Sequence, residues 1–230
     1  MAPSPDVLDG TVLEPLVGEL SSRPVLRIGV ISDTHIPEAR AELWPQVFTV
    51  FDGVDAILHG GDVHELGVLD QLGEVAPLWC ARGNGEDGSA GRSIAPVDDR
   101  LRYSWLLDLG GVRVGLTHDV PVPEVPPSLT VARWKQRRFG TDDVDVLVYG
   151  DSHVERIDLI GATLCFNPGS PTYPHNLNTQ LGTLGFLDID PERVRATVWQ
   201  LTPDGIDGPM AELSIDRDPT RRGRSIEVAR

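Results

Sequence analysis

Three short apolar runs, each closed by a polar residue and separated by segments of helical spacing, leave this chain few folds to choose from. Val25–Ser32 (VLRIGVIS) ends at Asp33, Asp55–His59 (DAILH) runs into Gly60-Gly61-Asp62, and Pro77–Ala81 (PLWCA) into Arg82-Gly83-Asn84. Between them, Glu42–Phe51 and Glu65–Leu72 carry apolar residues at three- and four-residue intervals, the period of a helix with one buried face. Strand, helix, strand, helix, strand predicts a parallel sheet with helices packed on it. A chain of 230 residues, 40% of them apolar, suffices for one α/β domain with a full core.

The second half is richer in strands. Tyr103–Leu109 and Val112–Leu116 flank Gly110-Gly111, a two-residue hairpin turn. A Pro-rich connector (Pro121–Pro127) and a helix with a polar cap (Ser128–Phe139) follow. Asp145–Tyr149, Arg156–Ile160, Thr163–Phe166, Thr183–Asp188 and Arg193–Leu201 read as further strands, and Gly85–Arg100, rich in Gly and Asp, as a loop. The domain is expected over residues 25–203. Residues 1–24 read as an extended lead-in. Residues 204–230 read as a C-terminal extension that adds an edge strand at Met210–Ile215 and ends in a tail.

Charge and cysteine usage narrow the function. The formal net charge of −15 argues against general nucleic-acid binding, which needs a basic face, and against an anionic membrane surface. Cys80 and Cys165 each sit inside an apolar run, as buried free thiols of a reducing compartment do. The N-terminal stretch lacks the basic and apolar regions of a signal peptide, and no apolar run approaches the ~20 residues that span a bilayer. A cytoplasmic protein is expected. Its oligomeric state is open, a homo-oligomer included.

The polar residues that close the strands form a set: Asp33, His35, Asp62, Asn84, His118, Asp119, Asp151 and His153. Ligands of α/β proteins bind just past the carboxyl ends of strands, where loops bring distant residues together. Any one of these histidines alone reads as an ordinary loop residue. Jointly, carboxylates, imidazoles and an amide oxygen suit borderline divalent ions such as Mn, Fe, Zn, Co or Ni. Paired thiolates are absent, which excludes a structural Cys-type zinc site. The seven donors of this set other than Asp119 exceed one tetrahedral site with an open position and fit two ions that share a carboxylate. Two such ions clamp a phosphate and generate hydroxide between them. A Gly-x-Ser-x-Gly elbow, a P-loop and a Gly-x-Gly-x-x-Gly turn are all missing.

The ordered series Asp33-Thr-His35, Gly61-Asp62, Gly83-Asn84, Thr117-His118 and Gly150-Asp151-Ser152-His153, followed by Asn167-Pro-Gly-Ser170, resembles the calcineurin-like metallophosphoesterases. The likeness is to their small bacterial and archaeal phosphodiesterase branch and covers about residues 25–201. It implies a four-layer α/β/β/α sandwich of two mixed sheets flanked by helices. It also implies a metal pair: Asp33, His35 and His153 on one ion, Asn84, His118 and Asp151 on the other, Asp62 bridging. The catalytic residues would then be Asp62, Asn84 and His118, acting on a small phosphate-ester substrate by attack of metal-bridged hydroxide.

Three positions depart from that pattern. Asp151 stands where the family carries histidine, Asp119-Val follows His118 in place of Gly-His, and Gly85 follows Asn84 where some branches use histidine to protonate the leaving group. The last leaves the proton donor unassigned. Arg82 is a candidate for substrate phosphate, with an ion pair to an acidic neighbour as the alternative. His59 reads as a core residue, His64 as a loop residue that either faces the cleft or is solvated, and His175 as solvated. Arg133, Lys135, Arg137 and Arg138 read as a solvated helix face, with a phosphate-attracting lid as the alternative. Two further functions stay open: an inactive scaffold of the same fold, as in a retromer subunit, which the Asp151 replacement admits, and a phosphatase or pyrophosphohydrolase of nucleotides.

Overall fold

The computed structural model describes residues 13–15 and 25–217. In chain order the elements are β1 (Leu13–Pro15), β2 (Leu26–Ile31), α1 (Pro45–Phe51), β3 (Ala56–His59), α2 (Gly67–Gly73), β4 (Leu78–Ala81), α3 (Asn84–Asp87) and β5 (Leu101–Arg102). There follow β6 (Ser104–Leu109), β7 (Val112–Thr117), α4 (Val131–Phe139), β8 (Val146–Val148), β9 (Arg156–Ile160), β10 (Thr163–Asn167), β11 (Thr183–Ile189), β12 (Arg193–Thr202) and β13 (Gly205–Asp216).

The strands make two mixed sheets. One has the order β13-β12-β11-β2-β3-β4-β5, with β2 to β5 parallel and β11 to β13 antiparallel. The other has the order β1-β6-β7-β8-β10-β9, with β7, β8 and β10 parallel. The carboxyl ends of β2, β3 and β4 therefore lie side by side in one sheet, and those of β7 and β8 in the other.

Alternation along the strands builds the layers, since successive side chains point to opposite faces. Ile28 and Val30 of β2 and Ala56 and Leu58 of β3 join Trp105, Leu107, Val146 and Val148 in the core between the sheets. Ile31 and Ile57 point outward and are covered by Val47 and Phe51 of α1 and Leu69 and Leu72 of α2. Leu106 and Leu147 point outward on the other side, under Val131 and Phe139 of α4. The expected four-layer sandwich is thus the fold.

Local differences from the sequence reading have simple causes. Helix α1 starts at Pro45 rather than Glu42 because the residue before a proline is driven out of the helical region; Trp44 has φ −61° and ψ 131°. Helix α4 starts at Val131, where the Thr130 side chain accepts the Arg133 N–H, a regular N-cap. Both glycines of the Gly110-Gly111 turn have positive φ, 62° and 83°, as a primed hairpin turn requires. Within the span read as a lead-in, Leu13–Pro15 pairs with β6 in parallel, and residues 1–12 and 16–24 lie outside the described residues. Strand β13 is twelve residues long, twice the alternation at Met210–Ile215. Both cysteines are buried and free. Among the described residues no helix is long and apolar enough to cross a membrane.

Candidate metal centre

Among the described residues, six non-glycine residues have positive φ: Asp33, His35, Asp62, His64, Asp151 and His153. They form three Asp-x-His tripeptides, one after β2, one after β3 and one after β8. A left-handed conformation costs roughly 1 kcal/mol or more per residue, least for short polar side chains. Backbone bonds hold the first two tripeptides in register, with Asp33 N–H donating to Gly61 O (2.9 Å) and His35 N–H to Asp62 O (3.0 Å). The third is tied to the first by Asp151 N–H donating to Asp33 Oδ1 (3.1 Å). Such packing tolerates no side chain at Gly150, where a Cβ would overlap Ser32 Oγ and stand 2.6 Å from Asp33 Oδ2.

Two donor clusters result. In the first, one atom each from Asp33, His35, Asp62 and His153 lie within 4.8 Å of one another. His35 Nε2 faces His153 Nε2 at 3.1 Å and Asp62 Oδ2 at 3.5 Å, and His153 Nε2 stands 3.6 Å from Asp33 Oδ1. In the second, His118 Nε2 lies 3.1 Å from Asn84 Oδ1, 3.5 Å from Asp62 Oδ1 and 3.6 Å from Asp151 Oδ1. Asp62 thus turns one oxygen to each cluster. Its Oδ1 is oriented by the Gly85 N–H (2.7 Å).

The electrostatics of these side chains suit a bound cation. His118 Nδ1 donates to Gly60 O (2.8 Å) and His153 Nδ1 to Tyr173 O (3.0 Å), so each neutral ring turns its Nε2 lone pair inward, as a metal-binding imidazole must. Burial lowers the pKa of His35, to about 4, and of His153, which keeps both in the coordinating neutral form. Burial pushes the Asp33 carboxyl up to about 7, and its Oδ2 has no hydrogen-bond partner. Burial also works to lower His118, but the fields of Asp33, Asp62 and Asp151 outweigh it and the net shift is upward. A buried carboxylate oxygen without a donor and lone pairs facing oxygens are stabilised by a divalent ion, and the oxygen and nitrogen donor set fits one.

Further side chains brace the loops. Glu86, fully buried, accepts the backbone N–H groups of Asp62 (3.1 Å), His64 (2.9 Å) and Gly83 (2.9 Å). Ser170 Oγ donates to Asp33 O (2.7 Å), and Asn167 Nδ2 donates to Gly150 O (2.7 Å), which gives the Asn167-Pro-Gly-Ser170 turn a structural task. His59 is buried; its Nδ1 accepts the Gly61 N–H (3.1 Å) and its Nε2 meets Thr34 Oγ1 (3.2 Å).

All seven donors expected from the sequence converge here. Arg82 donates to Glu86 O (3.0 Å) and lines a cleft with Asn84, His118 and Asp151. His64 is not a solvated loop residue: its ring packs 4.3 Å from that of His35, and its Nδ1 meets Glu38 at 2.8 Å. Its Nε2 would lie 2.7 Å from a Cβ on Gly85. His175 is exposed yet stacks 4.4 Å from His153. Lys135 departs from the solvated-face reading, since it is buried and donates to Asp142 O and Thr163 Oγ1. Glu86 escaped the sequence reading altogether. Its one signal, an acid two residues after Asn84 in a Gly-rich stretch, does not distinguish it from its solvated neighbours.

Comparison with known proteins agrees. A family model for the calcineurin-like phosphoesterase superfamily domain matches residues 26–192. A probable metallophosphoesterase of Methanothermobacter thermautotrophicus is 33% identical over 172 residues, 74% of this chain and 90% of that protein. Among solved structures, vacuolar protein sorting 29 from Cryptosporidium parvum superposes with a TM-score of 0.66 at 19% identity, covering 85% of this chain and 100% of that one. YfcE, a phosphoesterase from E. coli, gives 0.51 at 20% identity, covering 82% and 98%.

Proposed function

Because the chain belongs to the calcineurin-like phosphoesterase superfamily, we propose that it hydrolyses a small phosphodiester at a dinuclear divalent metal centre. One observation carries this reading: Asp62 Oδ2 lies 3.5 Å from His35 Nε2 while its Oδ1 lies 3.5 Å from His118 Nε2. A carboxylate shared in this way joins two donor clusters into one site.

Asp33, His35 and His153 would hold one ion, Asn84, His118 and Asp151 the other, and Asp62 would bridge. The donor set suits Mn first and Fe, Zn, Ni or Co after it. Bound ions neutralise charge developing on the phosphate oxygens and lower the pKa of the water that attacks phosphorus in line. The chain itself orients the ester. Asn84 and His118 line the cleft, fixed by the α3 turn and by Gly60 O, and Arg82 stands on the same wall as a contact for the substrate.

The likeness to a vacuolar protein sorting 29 supports a second reading, a binding scaffold without turnover. The complete donor set favours the enzyme. Hydrolysis of bis(p-nitrophenyl) phosphate with excess Mn²⁺ separates the two. Metal-dependent turnover in the wild type, lost in Asp62→Ala, is the expected result. Wild-type protein inert with each of the five metals would leave the scaffold.

A further inference from the structure

Beside the second donor cluster lies a cleft of about 280 Å³ whose walls come from both sheets. Asn84, His118 and Asp151 line it together with Arg82, Tyr103 and Arg138. The volume takes a sugar-sized group.

Arg82 is the unusual residue. The chain carries 35 acidic against 20 basic residues, yet among the described residues no carboxylate pairs with Arg82. Its half-buried guanidinium donates to Glu86 O (3.0 Å) and lies 5.7 Å from the Tyr103 ring. A partly desolvated cation kept from abundant acids is poised for an anion supplied from outside. Arg138 lines the same cleft from α4, steadied by Asp119 (3.2 Å) and by the Trp134 ring (4.6 Å). Of the acids on the wall, Asp119 pairs with Arg138, Asp87 accepts the Ser89 N–H (2.7 Å), and Asp151 faces His118 Nε2 at 3.6 Å. Tyr103 offers an aromatic face to the same cleft, beside Arg82.

Resting on the phosphodiesterase reading, we propose that this cleft is a subsite for a second phosphate, carried on the non-leaving arm of the substrate. Arg82 and Arg138 bind that phosphate and Tyr103 packs against the arm. The planar guanidinium suits two parallel bonds to phosphate oxygens. The substrate class is a diester whose retained alcohol is itself phosphorylated.

The test compares two chromogenic esters with the same leaving group, thymidine 5′-(p-nitrophenyl phosphate) and its 3′-phosphorylated counterpart, at fixed excess Mn²⁺. The phosphorylated ester is expected to show a KM about tenfold lower, with kcat within about twofold. Arg82→Gln and Arg138→Gln should each erase that preference, whatever they do to turnover as such. Calorimetry on the Mn-loaded protein should show thymidine 3′,5′-bisphosphate binding about tenfold tighter than thymidine 5′-phosphate. Turnover with equal KM for the two esters, or a preference that survives in both variants, overturns the subsite and leaves the phosphodiesterase standing. A binding preference without turnover of either ester supports the subsite and removes the hydrolytic reading. Neither turnover nor preference removes both.

Discussion

Asp151 Oδ1 stands 3.6 Å from His118 Nε2, on the open side of the second donor cluster, with its side chain 56% exposed. A carboxylate there adds a negative charge and a hard oxygen where the family pattern has imidazole. Harder ions should gain from this exchange. Asp151→His is therefore expected to keep metal uptake and to move the Zn-to-Mn affinity ratio up by about tenfold. The exposed position should hold the stability change within about 0.5 kcal/mol. Competition titrations on both proteins measure the ratio, and an unchanged ranking would show that Asp151 is no ligand.

Asp33 is fully buried, and its Oδ2 has no hydrogen-bond partner. Holding this carboxylate in place is a cost to the fold that an ion relieves. Asp33→Asn keeps the shape and removes the charge. The metal-free variant should be more stable than metal-free wild type by roughly 1–2 kcal/mol, at the expense of function. Thermal melts in chelator and in excess Mn²⁺ test this. Metal should raise the wild-type Tm and leave that of the variant nearly unmoved. A wild-type Tm indifferent to metal would contradict it.

Three backbone N–H groups converge on the Glu86 carboxylate, from Asp62, His64 and Gly83. Glu86→Ala leaves them buried without acceptors, at a cost of about 2–4 kcal/mol. It also frees the loop that carries Asp62, so turnover should fall by more than tenfold. Glu86→Gln keeps an acceptor oxygen and should recover about half of the stability. Urea midpoints for the three proteins decide this, and an alanine variant as stable as wild type would show that Glu86 is not the brace.

The residues that fix this site differ in how far a sequence betrays them. Asp33, Asp62 and Asn84 each close an apolar run, so strand periodicity alone places them at one end of a sheet. His35 and His153 follow two residues behind an aspartate in the same loops. His118 and Asp151 are legible as strand-end residues, but their meeting with Asp62 and Asn84 requires the second sheet to face the first. Glu86 lies two residues past Asn84 and works through backbone N–H groups, which leave no pattern in side-chain chemistry. Arg138 reads like Arg133 and Arg137 beside it, because a basic helical face looks alike whether it meets water or a cleft. Strand β13 outran its alternating stretch because Gly205–Pro209 lies outside that alternation; β12 pairs with Gly205–Asp207 through the backbone, past an irregularity between Val198 and Gln200.

His59 gives the fold an acid limit of its own. Burial pushes its pKa down to about 3, below the 6.5 of an unstrained imidazole. The unfolded chain then binds a proton more readily than the folded one. The associated stability is complete above pH 6.5 and is lost as pH falls from there toward 3. At pH 5 the loss from this one group is ~2 kcal/mol. The geometry says where it acts: Nδ1 accepts the Gly61 N–H, and a proton on Nδ1 would set two donors against each other beside Asp62. Glutamine at this position can accept and donate without titrating. In chelator, the stability lost between pH 7.5 and pH 5 should therefore shrink by about 2 kcal/mol in His59→Gln, whatever the variant's absolute stability. Urea unfolding of both proteins at the two pH values measures it, and equal losses would place the acid sensitivity elsewhere.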